Sequence, residues 1–239
     1  MSQDWRQLMF QDPAEFGRIQ REMADLDLAD GLDRRLAADF AGLRGATVRD
    51  RPVVAGGMRS LHAEVIYSLV RARRPQCIVE TGVCNGVSSA ILLKALSVNG
   101  AGRLVSVDLP EFTDPALNDN TVWEGKGGAA IPAGREVGWL VSEDLRSRWR
   151  LELGRSEDIL PPLLNELGQI DLFIHDSEHS YRNQLFEFTC GYAALRPGGV
   201  LVATDITWSS AFDEFWGQIR PSGARRAYVD PSCAIILKS

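Results

Sequence analysis

The sequence is poor in the features that announce several large protein classes. Its four cysteines, Cys77, Cys84, Cys190 and Cys233, are scattered without a Cys-x-x-Cys pair, and there are only three histidines in 239 residues. That pattern signals neither a disulfide framework nor a structural zinc site and leaves reduced thiols packed as small hydrophobes. Positive charge is in deficit: 26 Lys and Arg stand against 32 Asp and Glu, a net charge of -6. Such a chain is not expected to bind nucleic acid or an anionic lipid surface. No apolar run approaches membrane length, and the opening MSQDWRQLMFQDPAEF lacks the basic start and continuous apolar stretch of a secretion signal. The expectation is a cytoplasmic protein whose partners are small molecules. Internal repeats, low-complexity segments and a GxxxxGK[ST] phosphate loop are also missing.

What is present is apolar content sufficient for one sizeable core, 45% of the residues, arranged in two regimes. Between Asp12 and Leu43 the residues Phe16, Ile19, Met23, Leu26, Leu32, Leu36, Phe40 and Leu43 recur at spacings near three and four. This predicts two helices, broken around Asp30-Gly31. RPVVAGGMRS reads as a loop, and LHAEVIYSLVRARR as a helix whose terminal arginines suit the negative end of its dipole. Residues 1–55 are thus read as a helical extension that either covers a pocket or forms a homodimer contact, and residues 56–239 as the main domain. From Pro75 onward short apolar runs alternate with amphipathic helices: CIVE, VSSAILLKAL, RLVSVD, then after a long insert RLELG, EDILPPLLNEL, DLFIHD, RNQLFEFTCGYAAL and VLVATD. The fold class this implies is α/β, a doubly wound and mostly parallel sheet. The last two of its seven strands, RRAYV and CAIILK, are separated only by Asp230-Pro231-Ser232. No crossover helix fits there, so they should form an antiparallel hairpin.

In such sheets ligands bind beyond the carboxyl ends of the strands. There, after CIVE, stands the turn ETGVCNGVSSA. Gly82 and Gly86 remove side chains where the chain turns and a ligand approaches the backbone, and the next helix offers free N–H groups; close strand–helix packing alone would ask for the same glycines. The spacing is ExGxxxGxS, not the GxGxxG that seats a pyrophosphate, which disfavours a nicotinamide-dependent oxidoreductase. Asp108 ends the second strand, where a carboxylate accepts from ribose hydroxyls. Binding of a nucleoside is therefore expected without a pyrophosphate.

At these residues the sequence resembles the class I S-adenosylmethionine-dependent methyltransferases, and among them the small-molecule O-methyltransferases related to the catechol type. The resemblance runs from about Gly56 to the C-terminus. It implies a Rossmann-like methyltransferase fold, with Glu80 near the methionine ammonium of the cofactor, Gly82 and Gly86 lining it, and Ser88 meeting the methionine carboxylate. It further implies Asp108 on the ribose and Ser156 and Glu157, in GRSEDILP, on the adenine. The LRPGG turn before VLVATD belongs to the same pattern.

Chemistry is expected at the ends of the fourth and fifth strands. DLFIHDSEHSY supplies Asp176 and His179, and VLVATDITW supplies Asp205. Adjacent parallel strands would bring Asp176 and Asp205 together, where paired carboxylates attract a hard divalent cation such as Mg²⁺ or the cofactor's ammonium. In the catechol type the position three after the first metal-binding Asp carries a basic catalytic residue; here that is His179, suited to remove a proton near neutrality. A scaffold role for His179 and a capping role for Asp205 are the plainer alternatives. His175 is expected to point away from Asp176 and be structural, and His62 has no partner evident in the sequence. The catechol type follows its second Asp with an amide ligand; Ile206 stands there and coordinates nothing, so metal dependence stays open. Tyr181 and Trp208 are candidates for the acceptor pocket. The insert over 109–149, with Trp123 and Trp139, has the length and composition of a lid, and Trp149 is expected in the core. An NPPY-type signature of amino methyltransferases is absent, which favours oxygen as the acceptor. Methylation of nitrogen or carbon, and a non-catalytic S-adenosylmethionine-binding protein, are the alternatives.

Overall fold

The computed structural model describes residues 4–10, 12–48, 51–118 and 129–239. Three helices come first: α1 (Trp5–Met9), α2 (Pro13–Asp25) and α3 (Leu28–Phe40). The break between α2 and α3 falls at Leu26-Asp27, not at Asp30-Gly31 as the sequence predicts. Asp27 takes the left-handed conformation (φ 48°), while Gly31 lies inside α3. An interior glycine costs a helix only about 1 kcal/mol, and the buried Leu32 and Leu36 outweigh it. A minimal hairpin, β1 (Thr47–Val48) and β2 (Arg51–Pro52), falls partly within the segment read as loop and leads to α4 (Ser60–Arg73).

The main sheet then begins. Its elements are β3 (Cys77–Thr81), α5 (Val87–Asn99), β4 (Arg103–Asp108), β5 (Trp149–Leu153), α6 (Ser156–Leu167), β6 (Ile170–His175), α7 (Tyr181–Ala194), β7 (Leu195–Ala203), α8 (Ala211–Ile219), β8 (Arg225–Asp230) and β9 (Cys233–Leu237). The seven strands lie in the order β5-β4-β3-β6-β7-β9-β8. All neighbours are parallel except the pairs made by β9, which runs antiparallel between β7 and β8. The predicted terminal hairpin is therefore present, and its second strand is inserted against the parallel sheet. Because β3 pairs with β4 on one side and β6 on the other, the strand order reverses at β3, and a crevice opens at its carboxyl end.

Buried apolar residues fill both faces of the sheet. One cluster joins Ile66, Leu69, Ile91, Leu92, Ile174 and Ile235 to residues of the N-terminal helices, among them Trp5, Phe16, Met23 and Leu36. The preceding helices thus share the core of the sheet domain. Glu22 of α2 fixes this docking: both its oxygens accept from Arg71 of α4 (2.6 and 2.8 Å), and Tyr67 donates to it at 2.5 Å. Among the described residues no helix is long and apolar enough to cross a membrane.

Candidate active site

At the switch point lies a cavity of about 720 Å³. Its floor is the turn after β3. Gly82 has φ 86°, and a Cβ there would stand 2.1 Å from the Asp176 carbonyl oxygen, so β6 approaches the turn more closely than any side chain permits. Gly82, Val83, Cys84 and Ser88 line the cavity. Gly86 (φ 90°) does not line it; a Cβ on it would meet the Gly138 Cα at 2.7 Å, so this glycine admits the insert and not a ligand.

Glu80, expected beside a ligand ammonium, is fully buried on the far side of the turn and does not line the cavity. Its carboxylate accepts from Ser88 (2.5 Å), Ser89 (2.6 Å) and Ser106 (2.8 Å). The reason is strand alternation: the last inward position of β3 places it between α5 and β4, where three hydroxyls take the place of water. Burial pushes its carboxyl up to about 7 against those three donors. Ser88 therefore stands between Glu80 and the cavity. Ser106 also accepts the Trp149 indole N–H at 2.9 Å, which holds Trp149 against the core.

Asp108, at the end of β4, lines the cavity beside the turn. Its Oδ1 accepts the Val83 N–H at 3.1 Å and its Oδ2 the Cys84 N–H at 3.4 Å, while burial pushes its carboxyl up to about 6. The group that should meet a ribose is thus also the brace of the glycine turn. Ser156 and Glu157, at the N-terminus of α6, line the same end.

The opposite end gathers Asp176, His179, Asp205 and Trp208. His179 Nε2 lies 3.2 Å from Asp205 Oδ2, and Thr204 Oγ1 donates to Asp176 at 2.6 Å. Burial would lower the His179 pKa, but the hydrogen bond to Asp205 and the charges of Asp176 and Asp205 overcome it and raise it; the same bond lowers Asp205. Asp205 adopts φ 50°, an uncommon conformation that short acids tolerate and that clusters at functional sites. Its side chain goes to His179, and its backbone carbonyl accepts the Trp208 N–H at 3.1 Å. Trp208 is 39% exposed at the cavity rim, its ring 4.8 Å from that of His179 and edge-on to it.

One atom each from Asp176, His179 and Asp205 lies within 4.8 Å of the others. Magnesium ions commonly take one or two protein carboxylates and keep waters in their other positions, so Asp176 and Asp205 fit such an ion. Ile206 is buried and apolar, so the third side-chain oxygen of the catechol-type set is lacking.

Tyr181 is a correction. It starts α7, is 42% exposed and does not line the cavity; its phenol turns outward to bond Glu214 of α8. The helical register at the start of α7 instead turns Arg182, Asn183 and Phe186 to the cavity. Trp123 lies outside the described residues, and Trp139 is engaged outside the cavity by Asn85.

Sequence reasoning missed two acids that tie distant segments together, the first of them directly behind the site. Glu187 of α7 is fully buried and accepts from His175 Nδ1 (2.6 Å), Ser177 (2.8 Å), Asn183 (3.1 Å), Thr81 and Ser156. Burial alone would raise this carboxyl; His175 and the hydroxyls overcome it and hold it below the usual range. His175 is buried with it and does not line the cavity. The available signal was an acid between Phe186 and Phe188. The second residue is Asp230, which bonds His62 Nε2 at 2.9 Å across a separation no local pattern reveals.

Across residues 79–206 the chain matches the methyltransferase-domain family. No curated protein matches its sequence. Among solved structures, it is similar to the O-methyltransferase TomG from Streptomyces achromogenes, involved in tomaymycin synthesis and solved with SAM: TM-score 0.60, 17% identity, 97% of this chain and 100% of that one covered. An O-methyltransferase from Bacillus cereus in complex with SAH gives TM-score 0.57 at 16% identity, with 91% and 96% covered. The SAH-bound methyltransferase PaMTH1 from Podospora anserina gives 0.54 at 13%, with 85% and 87% covered.

Proposed function

The chain belongs to the methyltransferase-domain family, and from that premise we propose that it transfers a methyl group from S-adenosylmethionine to a hydroxyl of a small molecule. The observation that carries this reading is the polarity of one cavity: a nucleoside-binding end at Asp108, Ser156 and Glu157, and a proton-accepting end at Asp176, His179 and Asp205. Bound S-adenosylmethionine supplies a methyl group already activated on a positively charged sulfur, so the protein's task is alignment and removal of one proton.

Asp108 accepts the ribose hydroxyls while holding Val83 and Cys84 in place. Gly82 and Ser88 line the cavity where the methionine part would lie, the Ser88 hydroxyl proton being held by the buried Glu80. Ser156 and Glu157 border the adenine. At the other end the His179–Asp205 pair takes the proton of the acceptor hydroxyl on His179 Nε2, the nitrogen that Asp205 engages, since Nδ1 is buried, and Trp208 walls the acceptor. Asp176 and Asp205 would hold a divalent cation, which would supply positive charge to acidify a neighbouring hydroxyl.

The test is a label-transfer screen with isotopically labelled S-adenosylmethionine and a panel of hydroxylated acceptors, followed by His179→Ala on the best acceptor. Loss of a general base costs about 10²–10⁴-fold in turnover, while S-adenosylhomocysteine affinity should change by less than about threefold, since no adenosine contact is touched. Normal turnover in the variant removes His179 from the mechanism.

A further inference from the structure

The glycine turn is gripped from two sides. On the cavity side Asp108 holds the N–H groups of Val83 and Cys84. On the other side stands Asn85, fully buried, with both ends of its amide engaged. Its Nδ2 donates to the carbonyls of Ala55 (2.7 Å) and Ala130 (3.3 Å), and its Oδ1 accepts the Trp139 indole N–H at 2.6 Å. Two carbonyl acceptors and one N–H donor fix which end of the amide points where. The backbone repeats the tie: Gly138 donates to the Cys84 carbonyl at 2.8 Å and Leu140 to that of Asn85 at 3.1 Å.

Ala55 and Ala130 belong to two arms that roof the cavity. One arm contributes Val54, Gly56, Gly57 and Met58 to its lining, the other Ala129. The arms are joined to each other by Ala130 N–H donating to the Val54 carbonyl at 3.3 Å. The second arm is in turn held by α3, through Arg35 to the Leu140 carbonyl (3.2 Å) and the Arg135–Asp39 ion pair (2.6 Å).

We propose that Asn85 is a positioning residue through which occupation of the glycine turn by the cofactor sets the roof of the cavity. The route is short: a ribose on Asp108 braces Val83 and Cys84, the adjacent Asn85 is fixed in consequence, and its two N–H groups hold both arms. The inference rests on the cofactor reading given under Proposed function.

Hydrogen exchange with and without S-adenosylhomocysteine, paired with calorimetric titration, tests this in the full chain. The wild type should bind, and the amide of Ala130, which does not line the cavity and donates to the Val54 carbonyl, should exchange at least about fivefold more slowly when it does. Asn85→Asp sets an oxygen against two carbonyls while keeping the acceptor for Trp139; affinity should fall about tenfold, the worth of a lost buried hydrogen bond, and the remote protection should vanish. Asn85→Ser, which leaves a gap in place of opposed oxygens, should behave alike and answers the question if the first variant fails to fold. Trp139→Phe keeps both roof bonds and should keep the protection. Protection at Ala130 that survives in both Asn85 variants, or that is lost in Trp139→Phe, overturns the assignment. Absence of binding in the wild type overturns the cofactor reading instead, and the inference with it.

Discussion

His179 and Asp205 meet because β6 and β7 are neighbours in register, His175 opposite Ala203, so the residues just past the two strand ends fall at the same level. The glycine before them in the chain is equally constrained. Any Cβ at Gly82 would collide with the Asp176 carbonyl, and the backbone conformation there is one that side chains rarely adopt. Gly82→Ala is therefore expected to cost more than about 2 kcal/mol of stability and to displace Asp176. Denaturant melts and S-adenosylhomocysteine titration should both register it, and a variant of unchanged stability and affinity would contradict the close approach described. Single residues were also where the sequence was hardest to read. Asp108, at the end of β4, and Asp176, His179 and Asp205, just past the ends of β6 and β7, could be placed on the cavity from the sequence because strand ends are fixed by local pattern. Glu80 and Gly86 were legible as important but not in role: one turns to three serines and the other to Gly138, and both partners are set by tertiary packing. Tyr181 pointed outward because of a helical phase that begins only at its own position.

Elements depend on ties between distant segments. The β8–β9 hairpin is bound to α4 through Asp230, which accepts from His62 (2.9 Å), Arg59 (3.2 Å) and the Ser232 backbone (2.7 Å). Burial would raise the Asp230 carboxyl, but His62 and Ser232 overcome it and depress it to about 2. A carboxyl depressed on folding contributes stability above its unfolded pKa, near 3.9, and loses it as pH falls toward the folded value. Asp230→Ala should thus lower stability by about 1–3 kcal/mol at pH 7, and the gap to the wild type should narrow between about pH 4 and pH 2. A gap independent of pH in that window would show that the carboxylate charge is not what matters. The strands and helices of the sheet were read correctly because short continuous apolar runs, buried on both faces, and period 3.6 are local signals. The break between α2 and α3 was misplaced since glycine is only a weak helix breaker, and Asp27, which makes the turn, is one of many acids there.

At the scale of the molecule, the N-terminal helices share a core with the sheet and, through α3, hold the insert that roofs the cavity. That arrangement was open in the sequence, where the preface read equally as cover or as dimer contact, because amphipathic faces do not name what they bury. Ligand binding should report on the whole unit: at 100 times its Kd, a ligand specific for the folded state stabilises by about 2.7 kcal/mol. The most direct test of the central claim is calorimetric titration of the purified, chelator-treated protein with S-adenosylhomocysteine, with and without added Mg²⁺. The account predicts saturable one-to-one binding under both conditions, since the residues proposed to hold the adenosine are distinct from the paired carboxylates. No binding under either condition would contradict the reading of the glycine turn and Asp108 as a cofactor site.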